Sequence, residues 1–223
     1  MPAHADVAPD EQHGHWQQTY LAHPGMYGQS PSTAAVHAAD VFRALDARRV
    51  VELGAGHGRD TLYLAQNGLH VTATDFSAVG LAQLREQAEA RLLTDKIDTL
   101  EHDARCSLPL PLPDASADGV FAHMLLCMAL STTELHALVE EVRRALRPGG
   151  AFIYTVRHTG DAHYRAGTDH GDDIWEHGGF AVHFFSRRLV EDLAEGWNLA
   201  EVHDFEEGEL PRRLWRVTQI RPA

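Results

Sequence analysis

Apolar and polar positions change their period along the chain as they do in α/β proteins. An apolar run over 49–53 leads through a glycine-rich turn into a segment of helical period over 59–68, and a second apolar run ends at Asp75. This order predicts a strand, a helix and a parallel strand. The alternation continues with a predicted helix over 77–91, strands over 97–103 and 117–124, a helix from 132 that stops at Pro148, and a strand over 151–156.

The two ends of the chain extend this pattern. Helical periods over 15–20 and 33–45 precede the first strand. A predicted helix over 186–196 is followed by two predicted strands, 197–206 and 213–220, and such a closing pair often adds an antiparallel edge. The sequence therefore predicts an α/β fold with a mostly parallel sheet and helices on both faces.

The domain organisation follows from the same pattern. Residues 1–14 have no helical or strand period and are predicted to be a mobile tail, and 15–223 form a single domain. Within it, 15–48 are predicted N-terminal lid helices, joined by a turn-rich segment around Tyr27. Residues 157–184 follow the fifth strand and are too long for an ordinary connection of about 2–6 residues, so they are predicted to be an insertion that binds the substrate.

The overall charge narrows the range of partners. The chain has 223 residues and a formal net charge of −13. Binding to a nucleic-acid backbone normally needs a basic face, so we expect no nucleic-acid partner. There is no apolar run of about 18 residues and no signal-peptide pattern at Met1, so we expect a cytoplasmic protein with no membrane partner, as a monomer or homodimer.

The glycine turn is the most informative motif. Residues 50–60 read VVELGAGHGRD, a strand that meets three glycines and then a helix whose free N–H groups point at a ligand. Asp75 ends the next strand, about 20 residues on, where a carboxylate can accept hydrogen bonds from ribose hydroxyls. Arg59 stands where a dinucleotide fingerprint needs its third glycine, and no phosphate-loop motif is present. The pattern indicates a nucleoside ligand.

With these motifs, the chain resembles the class I methyltransferases that use S-adenosylmethionine. The matching segments are 52–58 for the first motif, 75–76 for the acidic position, 102–104 for the adenine motif, 118–123 for the fourth motif and 146–150 for the turn before strand five. The resemblance covers about 34–220. It implies methyl transfer and a Rossmann-like sheet of seven strands, with the last strand antiparallel.

The resemblance also implies which residues bind S-adenosylmethionine. The methionine part lies beside Glu52 and the glycine turn, Asp75 holds the ribose, and Asp103 contacts the exocyclic amine of adenine. The implied cofactor-binding residues are Glu52, Gly54, Ala55, Gly56, Asp75, Phe76, Asp103, Ala104 and His123.

A narrower similarity points to one branch of this class. The runs 58–68 and 70–77, together with EGW at 195–197 and EGELPRR at 207–213, are similar to the tellurite-resistance and thiopurine methyltransferases. In that branch a histidine stands close to an arginine near the end of the chain. Here Pro211 takes the histidine's place, and Arg212 and Arg213 follow it.

The insertion over 157–184 supplies candidate substrate-binding groups. It contains five histidines and several aromatic residues, and it lies at the carboxyl end of a strand, where loops border the ligand crevice. The spacings between its histidines and acidic residues match none of the tight metal-binding patterns, so we expect no metal site. The candidate substrate-binding residues are Tyr27, Arg157, Trp175, Arg212 and Arg213.

The sequence leaves the acceptor chemistry open. If the acceptor is a hydroxyl or an amine, His158, His183 or His123 are the candidate general bases. If it is a thiol or a metalloid oxyanion, arginines orient it instead. The predicted function is methyl transfer to a small molecule. The alternatives are a module that binds the cofactor without catalysis and a methylase of protein or RNA.

Overall fold

A seven-stranded sheet forms the centre of the molecule. The computed structural model describes residues 9–105, 107–208 and 212–223. Numbered in chain order, the strands of this sheet are β1 (Arg49–Leu53), β2 (His70–Asp75), β3 (Ile97–Glu101), β4 (Ala117–His123), β5 (Leu146–Arg157), β9 (Asn198–Glu207) and β10 (Arg212–Ile220). Their spatial order is β3-β2-β1-β4-β5-β10-β9. Strands β1 to β5 are parallel and β10 is antiparallel to both neighbours, which confirms the predicted fold class.

Six helices accompany the strands in the described residues. They are α1 (Pro9–Ala22), α2 (Thr33–Ala44), α3 (Arg59–Gln66), α4 (Ala78–Ala90), α5 (Thr132–Ala145) and α6 (Arg187–Leu193). Serine side chains accept backbone N–H groups at the start of four of them: Ser32, Ser77, Ser131 and Ser186. Such caps satisfy N–H groups that have no partner inside the helix, which explains where these helices begin.

Two helix boundaries differ from the sequence prediction. Helix α1 begins at Pro9, so residues 9–14 are not the irregular tail that the polar composition suggested; residues 1–8 lie outside the described part of the chain. At the other boundary, α5 ends at Ala145 and β5 already begins at Leu146, before the predicted stop at Pro148.

The sheet separates two apolar clusters. On one face α2, α3 and α4 pack against the strands, and on the other face α5 and α6 do so. Helix α2 belongs to this core: Ala34, Ala35, Ala38 and Phe42 are fully buried. The Phe42 ring fits against Gly119 of β4, where a Cβ atom would collide with it. The prediction that α2 is part of a lid is therefore wrong, because its alanine-rich face packs closely on the sheet.

The insertion after β5 has its own secondary structure. It contains a three-stranded antiparallel sheet of β6 (Thr168–Asp169), β7 (Ile174–His177) and β8 (Phe180–His183). The sequence predicted a loop insertion here and no strands within it. Polar residues and glycines interrupt these short strands, which hides their period. In the described part of the chain, no helix is both long and apolar enough to span a membrane.

Candidate active site

A cavity of about 740 Å³ opens at the carboxyl ends of the parallel strands. This is where ligands bind in open α/β sheets, because the loops that leave the strands diverge there. Its walls come from α1 and the segment after it, from the turn between β1 and α3, from the ends of β2 and β4, from the insertion over 157–184 and from the β9–β10 hairpin. Elements far apart in the sequence thus meet at one site.

The glycine turn forms the floor of one end of the cavity. Gly56 has a φ of +56° and Gly58 a φ of +86°, a region that residues with a Cβ atom rarely adopt. A Cβ atom on Gly56 would collide with the hydroxyl of Tyr20, and one on Gly58 would collide with Leu84 of α4. The turn is therefore held between α1 on one side and α4 on the other.

Asp75 links this turn to the next strand. Its Oδ2 accepts the backbone N–H of Gly56 at 2.8 Å, and its Oδ1 accepts that of Ser77 at 2.7 Å. The residue is buried and lines the cavity. Each carboxylate oxygen has more than one lone pair, so both oxygens can accept further hydrogen bonds from a ligand.

A small recess continues from the cavity past Asp75. Phe76, Asp103, Ala104 and Arg105 border it, and its volume is about 20 Å³. This is room for a water molecule and not for a purine ring. The Arg105 guanidinium lies 5.9 Å from the centre of the Phe76 ring and 3.4 Å from the Asp103 carboxylate. The Arg105 side chain must move before a planar ring can lie between these residues.

Two acidic side chains lie beneath the turn. The Thr61 hydroxyl donates a hydrogen bond to Glu52 Oε2, and Asp60 accepts both the backbone N–H and the hydroxyl of Ser32. Glu52 is almost fully buried. Burial raises its pKa well above the usual value and the nearby Asp60 carboxylate adds to this, while the Thr61 hydrogen bond acts in the opposite direction.

Helix α1 and the segment after it cover the turn. Tyr27 stacks on His57 with ring centres 5.9 Å apart, and Tyr20 meets the same ring edge-on. His57 is buried in the cavity wall, and neither ring nitrogen has a hydrogen-bond partner among the described residues. Burial lowers the pKa of His57, so its imidazole is neutral near pH 7. This part of the predicted lid, with Tyr27, borders the cavity.

Aromatic and charged groups line the opposite end. Arg157 pairs with Asp161 through two of its nitrogen atoms and lies over the Phe184 ring. Trp175 lines the same wall, as do the rings of His163 and His177, whose centres are 4.9 Å apart. The ion pair neutralises Arg157 and ties the insertion to the end of β5. Arg157 also faces the cavity.

His123 stands between the two ends. Its Nδ1 lies 2.9 Å from Thr155 Oγ1, and its Nε2 lies 3.4 Å from Glu207 Oε1. All the predicted cofactor-binding residues except Asp103 and Ala104 line the main cavity, and those two line the recess. The structure therefore brings this predicted set together around one continuous space.

Three other predicted residues lie elsewhere. His158 is buried against Trp215, with ring centres 4.7 Å apart, and its Nδ1 accepts the Gly160 N–H. His183 is also buried, with Nδ1 2.7 Å from the carbonyl oxygen of Leu130. Neither lines the cavity, so the geometry corrects the prediction that they face the acceptor. His183 ends β8 and His158 directly follows β5, where it forms a single bridge to Phe185, and both side chains point into packed layers.

The third of these residues is Arg213. It is exposed on β10 and pairs with Glu206, whereas Arg212 lines the cavity. Adjacent residues of a strand point to opposite faces, so only one of the two arginines can face the acceptor. Pro211 lies outside the described residues.

Glu207, His57 and Trp16 line the cavity although sequence reasoning did not select them. Glu207 follows from the pairing of β9 with β10, since it is the cross-strand partner of Arg212. That pairing needs the hairpin register, which the sequence alone did not supply. His57 lies inside the glycine turn, where the glycines carry the recognisable motif. Trp16 lies in a helix with little apolar period.

Comparison with known proteins assigns the centre of the chain. Residues 50–150 match the family model described as a methyltransferase domain. The chain contains a methyltransferase domain. The match covers the glycine turn, Asp75, the recess beside Asp103 and His123, which are the parts of the cavity that the motifs indicated. The match confirms the predicted resemblance to methyltransferases over residues 50–150. Two structures of the same fold were solved with S-adenosylhomocysteine, which agrees with the predicted cofactor.

One curated relative of this domain is the malonyl-[acyl-carrier protein] O-methyltransferase of Enterobacter lignolyticus. It is 34% identical over 109 residues, which are 48% of this chain and 38% of that protein. The chain spans less than half the length of the curated relatives it matches.

Two solved structures share the fold of the methyltransferase domain. The Burkholderia thailandensis 1,6-didemethyltoxoflavin-N1-methyltransferase, solved with its substrate and S-adenosylhomocysteine, has a TM-score of 0.74 and 16% identity, and the match covers 100% of this chain and 92% of that one. TehB from Haemophilus influenzae has a TM-score of 0.64 and 18% identity, with coverages of 83% and 61%. At these identities the likeness shows the fold alone.

Proposed function

We propose that the protein transfers the methyl group of S-adenosylmethionine to a small-molecule acceptor bound in the cavity. The observation that carries this proposal is the continuity of the cavity from the glycine turn and Asp75 to the aromatic wall of the insertion. One end suits the cofactor and the other suits an acceptor. When bound, the cofactor supplies an electrophilic methyl group on a sulfonium; the residues of the chain align the two molecules and exclude water.

The residues of the turn fit the cofactor. A Cβ atom on Gly56 would collide with the Tyr20 hydroxyl, so helix α1 can pack on the turn beside the cavity only if this residue stays a glycine. Asp75 has lone pairs left for ribose hydroxyls, and the neutral His57 has two nitrogen atoms without partners in the wall beside it. In this proposal, Glu52, Gly54, Ala55 and Gly56 hold the methionine part, and Phe76, Asp103 and Ala104 hold the adenine once Arg105 has moved.

The acceptor end contains the groups that position a small molecule. Tyr27 and Trp175 provide apolar faces, and burial raises the pKa of Tyr27, so its hydroxyl keeps its proton. Arg157 is neutralised by Asp161, whereas Arg212 has no ion-pair partner within 4 Å among the described residues. Arg212 is therefore the cation best placed to meet a negative group of the acceptor.

Two further facts support a small acceptor over a macromolecule. The net charge of −13 disfavours binding to nucleic acid. Among the proteins similar to this chain are a fatty-acid O-methyltransferase and the didemethyltoxoflavin methyltransferase, and both names denote a small acceptor. The malonyl-[acyl-carrier protein] O-methyltransferase is instead named for a small group carried on a protein. The cytoplasmic location and the monomeric or dimeric state inferred from the sequence stay predictions.

A single assay tests this proposal against its alternatives. The protein is incubated with methyl-labelled S-adenosylmethionine and a panel of thiols, metalloid oxyanions, phenols and amines, and the products are identified by mass spectrometry. We expect label in at least one small molecule. Binding of the cofactor with no labelled product would favour the binding module, and label recovered only in added protein or RNA would favour a macromolecular methylase.

A further inference from the structure

The β9–β10 hairpin presents two different faces at the rim of the cavity. In the register of this pair, Glu207 lies opposite Arg212 and Glu206 lies opposite Arg213. Glu207 and Arg212 line the cavity, whereas Glu206 and Arg213 form an ion pair outside it, with both side chains more than half exposed. The same strand thus offers a carboxylate that faces the cavity and a neighbouring one that does not.

A chain of polar groups leads from the end of β4 to the Glu207 carboxylate. The Met124 N–H donates to Thr155 Oγ1 at 3.0 Å, and the same oxygen lies 2.9 Å from His123 Nδ1. The Thr155 hydroxyl hydrogen is therefore available to His123 Nδ1, which leaves the imidazole proton on Nε2. That Nε2 lies 3.4 Å from Glu207 Oε1, and the Arg59 guanidinium lies 3.8 Å from the same atom, so His123 and Arg59 flank one oxygen of the carboxylate.

The other oxygen of Glu207 has no such support. Oε2 is shielded from solvent and has no hydrogen-bond partner among the described residues. A buried carboxylate oxygen without a donor is costly, and a ligand that brings an O–H or N–H group removes that cost. Burial by itself raises the pKa of Glu207, but His123, Arg59 and Arg212 together outweigh it, so the pKa lies below its usual value. The group is therefore a carboxylate near pH 7.

We propose that the Glu207 carboxylate turns its shielded Oε2 towards the acceptor, binds the O–H or N–H group of the acceptor and takes its proton, and that His123 is the residue that positions it. This inference rests on the proposed methyl transfer. The acceptor oxygen or nitrogen forms a bond to the methyl carbon while the carbon–sulfur bond breaks, with its electron pair going to sulfur. The acceptor proton moves to Glu207 Oε2. An acceptor atom that has gained a methyl group and still holds its proton is acidic, so a carboxylate of low pKa suffices.

The walls of the same space indicate the shape of the acceptor. Trp16 lies edge-on to Phe180 with ring centres 5.7 Å apart, and both rings line the cavity, as does Trp175. Such surfaces stack on flat apolar molecules. The acceptor class that fits both features is a planar aromatic compound with a hydroxyl or amino group, which excludes acceptors that offer only a lone pair, such as thioethers.

The test compares probes that differ only in the proton. Binding of phenol and anisole, and of aniline and N,N-dimethylaniline, to the protein loaded with S-adenosylhomocysteine is measured by ligand-observed NMR. We expect the protic member of each pair to bind about tenfold more tightly, as a hydrogen bond to a charged group implies. Glu207→Leu should abolish this preference, and Glu207→Gln should reduce it. Glu206→Leu, on the other face of the same strand, should retain it.

A second readout tests the positioning role of His123. The preference for phenol should fall as the pH is lowered and Glu207 gains a proton. His123→Leu should move the midpoint of this fall to higher pH, because one of the groups that lowers the Glu207 pKa is lost; Arg59 and Arg212 remain. An unchanged midpoint would remove His123 from this role.

The outcomes separate this inference from the proposed function. Equal binding within both probe pairs, a preference that survives in Glu207→Leu, or no binding of any probe would overturn the role of Glu207, while methyl transfer stands as long as S-adenosylhomocysteine binds. Failure of S-adenosylhomocysteine itself to bind in calorimetry would overturn both. Thermal unfolding of each variant shows whether it is folded.

Discussion

The hydroxyl of Tyr20 lies too close to Gly56 for this residue to carry a Cβ atom. Helix α1 and the glycine turn are thus fitted to each other, and Gly56 also donates its N–H to Asp75. A substitution at Gly56 therefore disturbs both helix α1 and the glycine turn. This relationship makes the turn testable without knowledge of the acceptor.

Gly56→Ala should weaken binding of S-adenosylhomocysteine by at least about tenfold, which corresponds to about 1.4 kcal/mol. The new Cβ atom displaces Tyr20 and strains a residue whose φ is +56°. Gly68→Ala is the control, because Gly68 also has a positive φ but open space around it. The measurement is calorimetry of all three proteins. Removing the hydroxyl with Tyr20→Phe should restore part of the affinity, and equal affinities in Gly56→Ala and Gly68→Ala would contradict the account.

Phe42→Ala should lower the free energy of unfolding by about 3–5 kcal/mol. Its ring is fully buried against Gly119, and its loss leaves a cavity between α2 and the sheet. Val36→Ala on the exposed side of the same helix should change the stability by no more than about 0.5 kcal/mol. Urea unfolding measures both variants. Similar values for the two variants would mean that α2 is not part of the core.

Glu52→Gln should change how stability depends on pH. Burial raises the pKa of Glu52 above its usual value of 4.5, so the folded protein keeps this proton at pH values where the unfolded chain has released it. The free energy of unfolding of the native protein therefore falls as the pH rises from about 4.5 towards the raised pKa. Glutamine has no such proton, and its amide oxygen can still accept from Thr61.

The measurement is urea unfolding of the native protein and Glu52→Gln at a series of pH values from below 4.5 upward. The native protein should lose stability relative to the variant across this window. Other carboxylates titrate as well, but they are common to both proteins and cancel in the difference. Glu101→Gln, an exposed change on β3, should follow the native protein at every pH. A difference between native protein and Glu52→Gln that does not vary with pH would refute the raised pKa.

The sequence was sufficient for the sheet and for the cofactor end of the cavity. Period, glycine turn and the position of Asp75 are local signals, since each rests on the order of a few neighbouring residues. Such signals also placed Phe76, Asp103 and His123 at strand ends. The boundaries of α1 and α5 were less well predicted, because proline and glycine mark turns in one setting and helix or strand ends in another.

The acceptor end could not be predicted as well, because it depends on contacts between distant segments. His158 and His183 lie in a histidine-rich stretch, yet both are buried, His158 against Trp215 and His183 beside the carbonyl oxygen of Leu130. Glu207 reaches the cavity only through the register of β9 with β10. Composition indicated that the insertion over 157–184 borders the site, but it could not say which of its side chains face inward.

The most direct test of the central claim is a calorimetric titration of S-adenosylmethionine into the native protein and Asp75→Ala. Asp75 holds Gly56 and offers lone pairs for ribose hydroxyls, so its loss should weaken binding by about 1–3 kcal/mol. Asp98→Ala, an exposed change on the adjacent strand β3, should bind as the native protein does. Unchanged affinity in Asp75→Ala, or tighter binding of NAD than of S-adenosylmethionine by the native protein, would contradict the account.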